Sequence, residues 1–160
     1  MPRVVLYQPQ IPPNTGNVAR SCAATSQELH LVAPLGFEIN DRQLRRAGLD
    51  YWAYVPLHQH AEWSAFQQER RRRGGRLVGL SALTDAPYSR FSFAEDDWLL
   101  FGRETDGLPA TVQSDCDALL TIPMARSRNH PEGGVRSLNL ASAVAIVLFE
   151  ALRQLDQASP

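Results

Sequence analysis

The stretch LLFGRETDGLP, Leu99 to Pro109, decides the fold class. It opens on a short unbroken apolar run, the mark of a strand buried on both faces. The strand reading covers Trp98 to Phe101 and ends at Gly102. Glu104 follows at once, and Gly107 permits a tight turn; a glycine at a strand end lets a ligand approach the backbone. Similar runs recur outward at Arg3–Tyr7 (RVVLY), Leu29–Val32 (LHLV), Leu77–Leu80 (LVGL) and Ala118–Ile122 (ALLTI), with a weaker strand at Ala53–Leu57. Helix-like stretches lie between them. Thr15–Thr25 has Asn14 as its N-cap behind Pro12 and Pro13. Asp41–Ala47 is closed by Gly48, and Ala61–Arg73 carries Trp63 and Phe66 on its apolar side and stops at Gly74 and Gly75. Ser137–Leu155 is a long final helix. Strands alternating with helices predict an α/β fold with a mostly parallel sheet flanked by helices.

The final helix adds a second expectation. Leu140, Val144, Leu148, Ala151 and Leu155 form one stripe, and Ile146, Val147 and Phe149 add apolar surface around the wheel. A helix apolar on nearly every side is buried on more than one. One side faces the sheet; the other suits a second copy of the chain, hence a homodimer.

Composition narrows the chemistry. The 160 residues suit one domain, 1–160, and 44% apolar with 21% charged residues is a globular balance. Sixteen basic residues face seventeen acidic ones, for a net charge of −1. Bulk charge therefore does not hold this chain on nucleic acid, although a local basic patch is open to it. Every basic residue is arginine. That excludes a Walker A lysine, a Schiff-base lysine and a pyridoxal phosphate anchor. Cys22 and Cys116 are isolated and read as reduced core thiols. His30, His58, His60 and His130 have no metal-ligand spacing, so no metal is expected. The longest apolar run, Ala143–Phe149, is too short for a membrane span, and Met1–Leu6 has no signal-peptide core. The expected compartment is the cytoplasm.

Three strand-end loops carry the candidate chemistry. QIPPNTGNVAR, Gln10–Arg20, offers the amides of Asn14 and Asn17 and the guanidinium of Arg20 at the sheet edge where α/β proteins bind ligands. An ordinary capped turn is the plainer reading. The Gly102–Gly107 loop is not a dinucleotide fingerprint, because no GxG occurs in the chain. A solvated Glu104 is the plainer reading there. IPMARSRNHPEGGVRSLNL, Ile122–Leu140, is a polar loop in which Ser137 is the expected N-cap and Asn139 sits in the first helical turn. Free N–H groups at a helix start suit a carboxylate or phosphate, although simple capping explains Ser137 equally well. Without a GxSxG context, a serine-hydrolase nucleophile is not expected. The loops Leu80–Ser81, Gly102–Glu104 and Ile122–Met124 are placed to wall one pocket together. Arg42, Arg45 and Arg46 near Tyr51 and Trp52 combine guanidinium with aromatic faces, as RNA contacts require. Arg70–Arg73 with Arg76 reads instead as a solvated helix end.

The three motifs, in this order, resemble the SPOUT superfamily of RNA methyltransferases. They are most similar to its small tRNA wobble 2′-O-methyltransferases, the TrmL or YibK-like group. NTGNVAR matches the first motif, FGRETDGLP the second, and IPM followed by RSLNLASAV the third; RRAGLDYW, Arg45–Trp52, is also typical of the group. The resemblance spans Arg3 to Gln154. It implies a C-terminal deep trefoil knot, a homodimer, S-adenosylmethionine as methyl donor with S-adenosylhomocysteine as product, and no metal. It further implies methyl transfer to the 2′-OH of a wobble cytidine or modified uridine, with tRNA-Leu as the substrate. By the same resemblance, Leu80, Ser81, Gly102, Glu104, Ile122, Met124, Ser137 and Leu138 hold the cofactor. Asn14, Arg20, Glu104, Ser137 and Asn139 form the catalytic group, and Arg20, Arg45, Arg46, Tyr51, Arg126 and Arg128 meet RNA. Arg20 is the family's candidate base; because guanidinium stays charged, a phosphate and alkoxide clamp is the more physical role. The Ala125–Val135 loop is longer than usual for the group. Ala141 and Ser142 stand where serine and asparagine are frequent, and Phe149 replaces a frequent tyrosine. Two other readings compete: a SPOUT enzyme acting on another RNA, and a non-catalytic RNA-binding relative.

Overall fold

Strand and helix alternate as expected in the computed structural model, which describes residues 1–39, 42, 51–125 and 130–158. The strands are β1 (Arg3–Tyr7), β2 (Leu29–Val32), β3 (Leu57–His60), β4 (Leu77–Leu80), β5 (Trp98–Phe101) and β6 (Ala118–Leu120). The helices are α1 (Pro12–Thr25), α2 (Trp63–Arg73), α3 (Ala110–Ser114) and α4 (Leu140–Ala158). One sheet has the order β3-β2-β1-β5-β4-β6, with every pairing parallel. β5 is inserted between β1 and β4, so its carboxyl end lies at the sheet centre.

Strand periodicity sorts the side chains into two layers. Val4, Leu6, Leu29, Leu31, Leu99 and Phe101 face α1 and α4, where Val18, Ala19, Val144, Val147 and Leu148 close the layer. Val5, Tyr7, Val32, Trp98 and Leu100 face the other way, against Phe66 of α2 and Val112 of α3. Burial on both faces explains why these strands read as continuous apolar runs. The expected stripe on α4 is buried from Leu140 to Ala151, whereas Phe149 is 52% exposed. Among the described residues, no helix is long and apolar enough to cross a membrane. Burial pushes the Cys22 and Cys116 thiols up to about 12, which keeps both protonated.

Several boundaries differ from expectation. The helix expected at Asp41–Ala47 lies outside the described residues, apart from Arg42. α1 starts at Pro12, with Ile11 as N-cap, because prolines at its first two positions need no N–H acceptor. Asn14 is therefore inside the first turn and not its cap. The Ala53–Leu57 strand is replaced by a 3-10 turn at Trp52–Tyr54, followed by β3 after Pro56. α2 starts at Trp63, two residues later than expected. β6 stops at Leu120, and Thr121 instead bridges Pro87. α3 and a 3-10 turn at Tyr88–Arg90 are too short to leave a periodic signal. Arg71 and Arg72 are exposed as expected, whereas Arg70 and Arg73 are half-buried and paired with Asp117 and Glu28.

β3 carries LHQH because its histidines complete a polar network inside the sheet. The His30 ring stacks on His58 at 4.4 Å and on His60 at 5.2 Å. His30 Nδ1 lies 2.9 Å from His60 Nε2, and His30 Nε2 lies 3.0 Å from Glu28 Oε2. Glu28, His30 and His58 offer atoms at metal-ligand separations, a grouping that residue spacing along the chain does not reveal. Arg73 already donates to both Glu28 oxygens at 2.7 Å, and the Nε2 atoms of His30 and His58 lie 3.0 and 3.4 Å from Glu28 Oε2. We read the group as a structural hydrogen-bond network.

This network makes stability pH-dependent. Burial, above all, pushes the His30 pKa down to about 4 from 6.5. The folded chain thus resists a proton that the unfolded chain accepts. Stability is full above pH 6.5 and falls as pH drops toward 4. The Arg73 hydrogen bond draws Glu28 down to about 2 from 4.5, which extends the loss below pH 4.5. The His30 contribution is about 3 kcal/mol. Denaturant midpoints should hold from pH 7.5 to 6.5 and decline from there to pH 4.5, and His30→Gln should flatten that decline. A flat wild-type profile would remove this account of the network.

Candidate active site

Because all strands are parallel, their carboxyl ends share one edge of the sheet, and the three motifs meet there. Glu104, just past β5, fastens the β1–α1 loop. Its Oε2 accepts the Gln10 N–H at 2.9 Å and its Oε1 the Ile11 N–H at 3.1 Å. Glu104 is thus a half-buried bidentate acceptor and not a solvated side chain. Asn139 joins the third motif to the first: its Nδ2 donates to Asn14 Oδ1 at 2.9 Å. Asn139 also caps α4. Its Oδ1 accepts the Ala141 N–H, and its carbonyl accepts the Ala143 N–H, both at 2.9 Å. This corrects the Ser137 cap; α4 begins at Leu140, and Ser137 is exposed before it.

Gly102 has a packing role at the end of β5. A Cβ there would stand 2.3 Å from the Gly107 carbonyl carbon and 2.5 Å from the Leu108 nitrogen. Its bare Cα therefore admits the close approach of the Arg103–Gly107 turn. The turn is closed by reciprocal backbone hydrogen bonds between Arg103 and Gly107 at 3.2 and 2.9 Å, and Gly107 has a φ of 69°. Gly102→Ala should cost about 1–3 kcal/mol, since backbone must move, and chemical denaturation checks it.

Arg20, exposed on α1, is held by Tyr51. Its Nη2 donates to the Tyr51 hydroxyl at 2.9 Å, and its guanidinium carbon sits 4.7 Å from the Tyr51 ring centre. Tyr51, expected as an RNA contact, engages Arg20 in this structure. Arg45, Arg46, Arg126 and Arg128 lie outside the described residues. Leu80, Ser81, Ile122 and Met124 are half-buried at the ends of β4 and β6. Ser81 N–H donates to the Leu120 carbonyl at 2.8 Å, tying those two ends together. A cavity of about 370 Å³ opens at the same edge, on the β1 and β2 side, against Gln8, Gln10, Arg103, Thr105 and Asp106. None of these five was anticipated as functional. Arg103, Thr105 and Asp106 nonetheless lie within the second motif, and Gln10 opens the loop that carries the first.

A family profile described as the SpoU rRNA Methylase family matches residues 1–149. The chain belongs to the SpoU rRNA methylase family. A Synechocystis sp. relative, provisionally named a tRNA (cytidine(34)-2′-O)-methyltransferase, is 54% identical over 155 residues, covering 97% of both chains. A solved structure described as giving insight into 2-OH methylation of C/U34 on tRNA is 46% identical, with a TM-score of 0.89 and coverage of 98% and 97%. The SpoU methyltransferase AviRb from Streptomyces viridochromogenes, solved with the cofactor AdoMet, is 28% identical with a TM-score of 0.84. That match covers 98% of this chain and 61% of AviRb. The SpoU fold is therefore the parallel α/β arrangement described above, and the resemblance read from the three motifs holds at the level of family.

Proposed function

We propose that this SpoU chain transfers a methyl group from S-adenosylmethionine to the ribose 2′-OH of the wobble pyrimidine in a tRNA. The observation that carries the reading is the convergence of the motifs through two contacts, Glu104 on the β1–α1 loop and Asn139 on Asn14. The names of its relatives support the substrate. The AdoMet complex of AviRb supports the cofactor.

The residues fit an adenosine-bearing cofactor. Leu80 and Ile122 lie partly exposed at the margin of the apolar layer, and Leu138 is 38% exposed. These supply apolar faces for a base, and Ser81, Met124, Ser137 and the backbone at Gly102 supply the rest of the wall. When bound, the donor supplies a methyl already activated by its sulfonium charge. This chain's residues then need only position the hydroxyl, whose proton passes to solvent water as the 2′-oxygen takes the methyl and S-adenosylhomocysteine leaves. Arg20 holds the neighbouring phosphate and stabilises charge growing on the 2′-oxygen. Asn14 and Asn139 orient that oxygen, Glu104 fixes the loop that carries Asn14, and Ser137 lines the transfer site. Arg45, Arg46, Arg126 and Arg128 extend the RNA surface, and no metal is needed.

We also assign residues 1–160 to one catalytic domain, acting as a homodimer in the cytoplasm on tRNA-Leu. Exposed Phe149 on α4, with half-buried Ile146 beside it, supports the dimer. The inserted β5, and the return of α4 over α1 and β5, support a knotted C-terminal half. Equilibrium binding of S-adenosylmethionine tests the reading. Saturable binding that Leu138→Arg abolishes while the fold melts normally is expected; no binding by the folded wild type would overturn it.

A further inference from the structure

We propose that the cavity at the carboxyl ends of β1, β2 and β5 seats the pyrimidine base of the target nucleotide, read by the side-chain amides of Gln8 and Gln10. The inference rests on wobble-ribose methylation and deepens it. The cavity, about 370 Å³, is large enough for one unstacked base.

Its wall has a defined hydrogen-bond polarity. Gln8 Oε1 accepts from Arg103 Nη1 at 2.8 Å. Gln10 Oε1 accepts from the Thr105 N–H at 3.4 Å and lies 2.9 Å from the Thr105 hydroxyl, which also reaches Asp106 Oδ1 at 3.2 Å. Arg103 and the Thr105 N–H are donors only, so each amide oxygen must face them; a flipped amide would set N–H₂ against N–H. The two N–H₂ groups are left as donors without an acceptor among the described residues. Arg103 also forms a two-pronged ion pair with the Asp106 carboxylate, Nε and Nη2 donating at 2.6 and 2.9 Å. Its charge is thereby neutralised, which disfavours a phosphate as the occupant.

A neutral ligand presenting acceptors fits this wall. Cytosine offers O2 and N3, and uracil offers O2 and O4, so a pair of amide donors accepts both pyrimidines. The placement is also right. Gln10 precedes α1, which carries Asn14 and Arg20, and Glu104 clamps the same loop from the residue before Thr105. Gly36 lets the loop after β2 close on this segment: a Cβ there would lie 2.7 Å from Gln10 Cα, and its N–H donates to the Pro9 carbonyl at 2.9 Å.

The test couples a protein change to a substrate change. Anticodon stem-loops carrying cytidine, uridine or an abasic ribose at the wobble position are methylated by wild type, Gln10→Glu and Gln8→Ala. Gln10→Glu keeps an acceptor for Thr105 but replaces the donor facing the base. Each variant should lower kcat/KM on the cytidine and uridine RNAs about tenfold and change the abasic RNA by less than about twofold. S-adenosylmethionine affinity should be unchanged in both variants. Equal losses on all three RNAs, or no loss on any, would overturn the assignment while leaving wobble methylation intact. A wild type that methylates none of these RNAs overturns the methylation reading and the base seat with it.

Discussion

Replacing Glu104 by alanine should lower kcat/KM for methyl transfer by about 10²-fold while leaving the fold largely intact, because a displacement near 1 Å at a reacting centre costs that much. The carboxylate accepts two backbone N–H groups, Gln10 and Ile11, from a loop that is 94 and 93 residues away in sequence. Removing it leaves both donors unsatisfied and frees the segment that enters α1. Asn14 would then lose its fixed relation to Asn139. Glu104→Gln should fall closer to alanine than to wild type, since one acceptor oxygen becomes an N–H₂ that opposes a backbone N–H. The loss should appear in kcat more than in S-adenosylmethionine affinity. Steady-state kinetics with denaturation curves on each variant checks this; full activity in Glu104→Ala would remove the loop anchor from the mechanism.

Arg20→Ala should cost about 10²–10³ in kcat, the usual effect of deleting one group that stabilises developing charge. Arg20→Lys should recover little of it. Tyr51 holds the guanidinium by a 2.9 Å hydrogen bond and by stacking at 4.7 Å, geometry that a lysine ammonium does not reproduce. Tyr51→Phe keeps the ring and loses the hydroxyl, so its decline should be a few-fold at most, on the order of one hydrogen bond. Tyr51→Ala should resemble a partial Arg20 deletion. Near-full activity in Arg20→Lys would end the case for a guanidinium-specific role.

Sequence and structure agree where local patterns dominate. β1, β2, β4 and β5 match their apolar runs because both faces of each strand are buried. β3 departs from the expected Ala53–Leu57 because LHQH has no apolar run, and its histidines are held by His30 and Glu28, which lie outside it. The helix caps differ from expectation for a related reason. Asn14 and Ser137 are each plausible caps on local grounds, yet prolines start α1 and Asn139 caps α4. The ordered motifs led to the family. They could not show that Asn14 meets Asn139 across 125 residues, or that Gln8 meets Arg103 across 95. Such pairings depend on β5 entering the sheet beside β1, a topological fact without a local signature.

The central claim is the site of methylation, and one measurement addresses it directly. Purified protein, methyl-labelled S-adenosylmethionine and tRNA lacking wobble methylation are combined, and nuclease digestion with mass spectrometry then locates the label. A single 2′-O-methyl pyrimidine at the wobble position is the predicted product. Label on a base, on another nucleotide, or on no RNA despite bound cofactor would contradict the account.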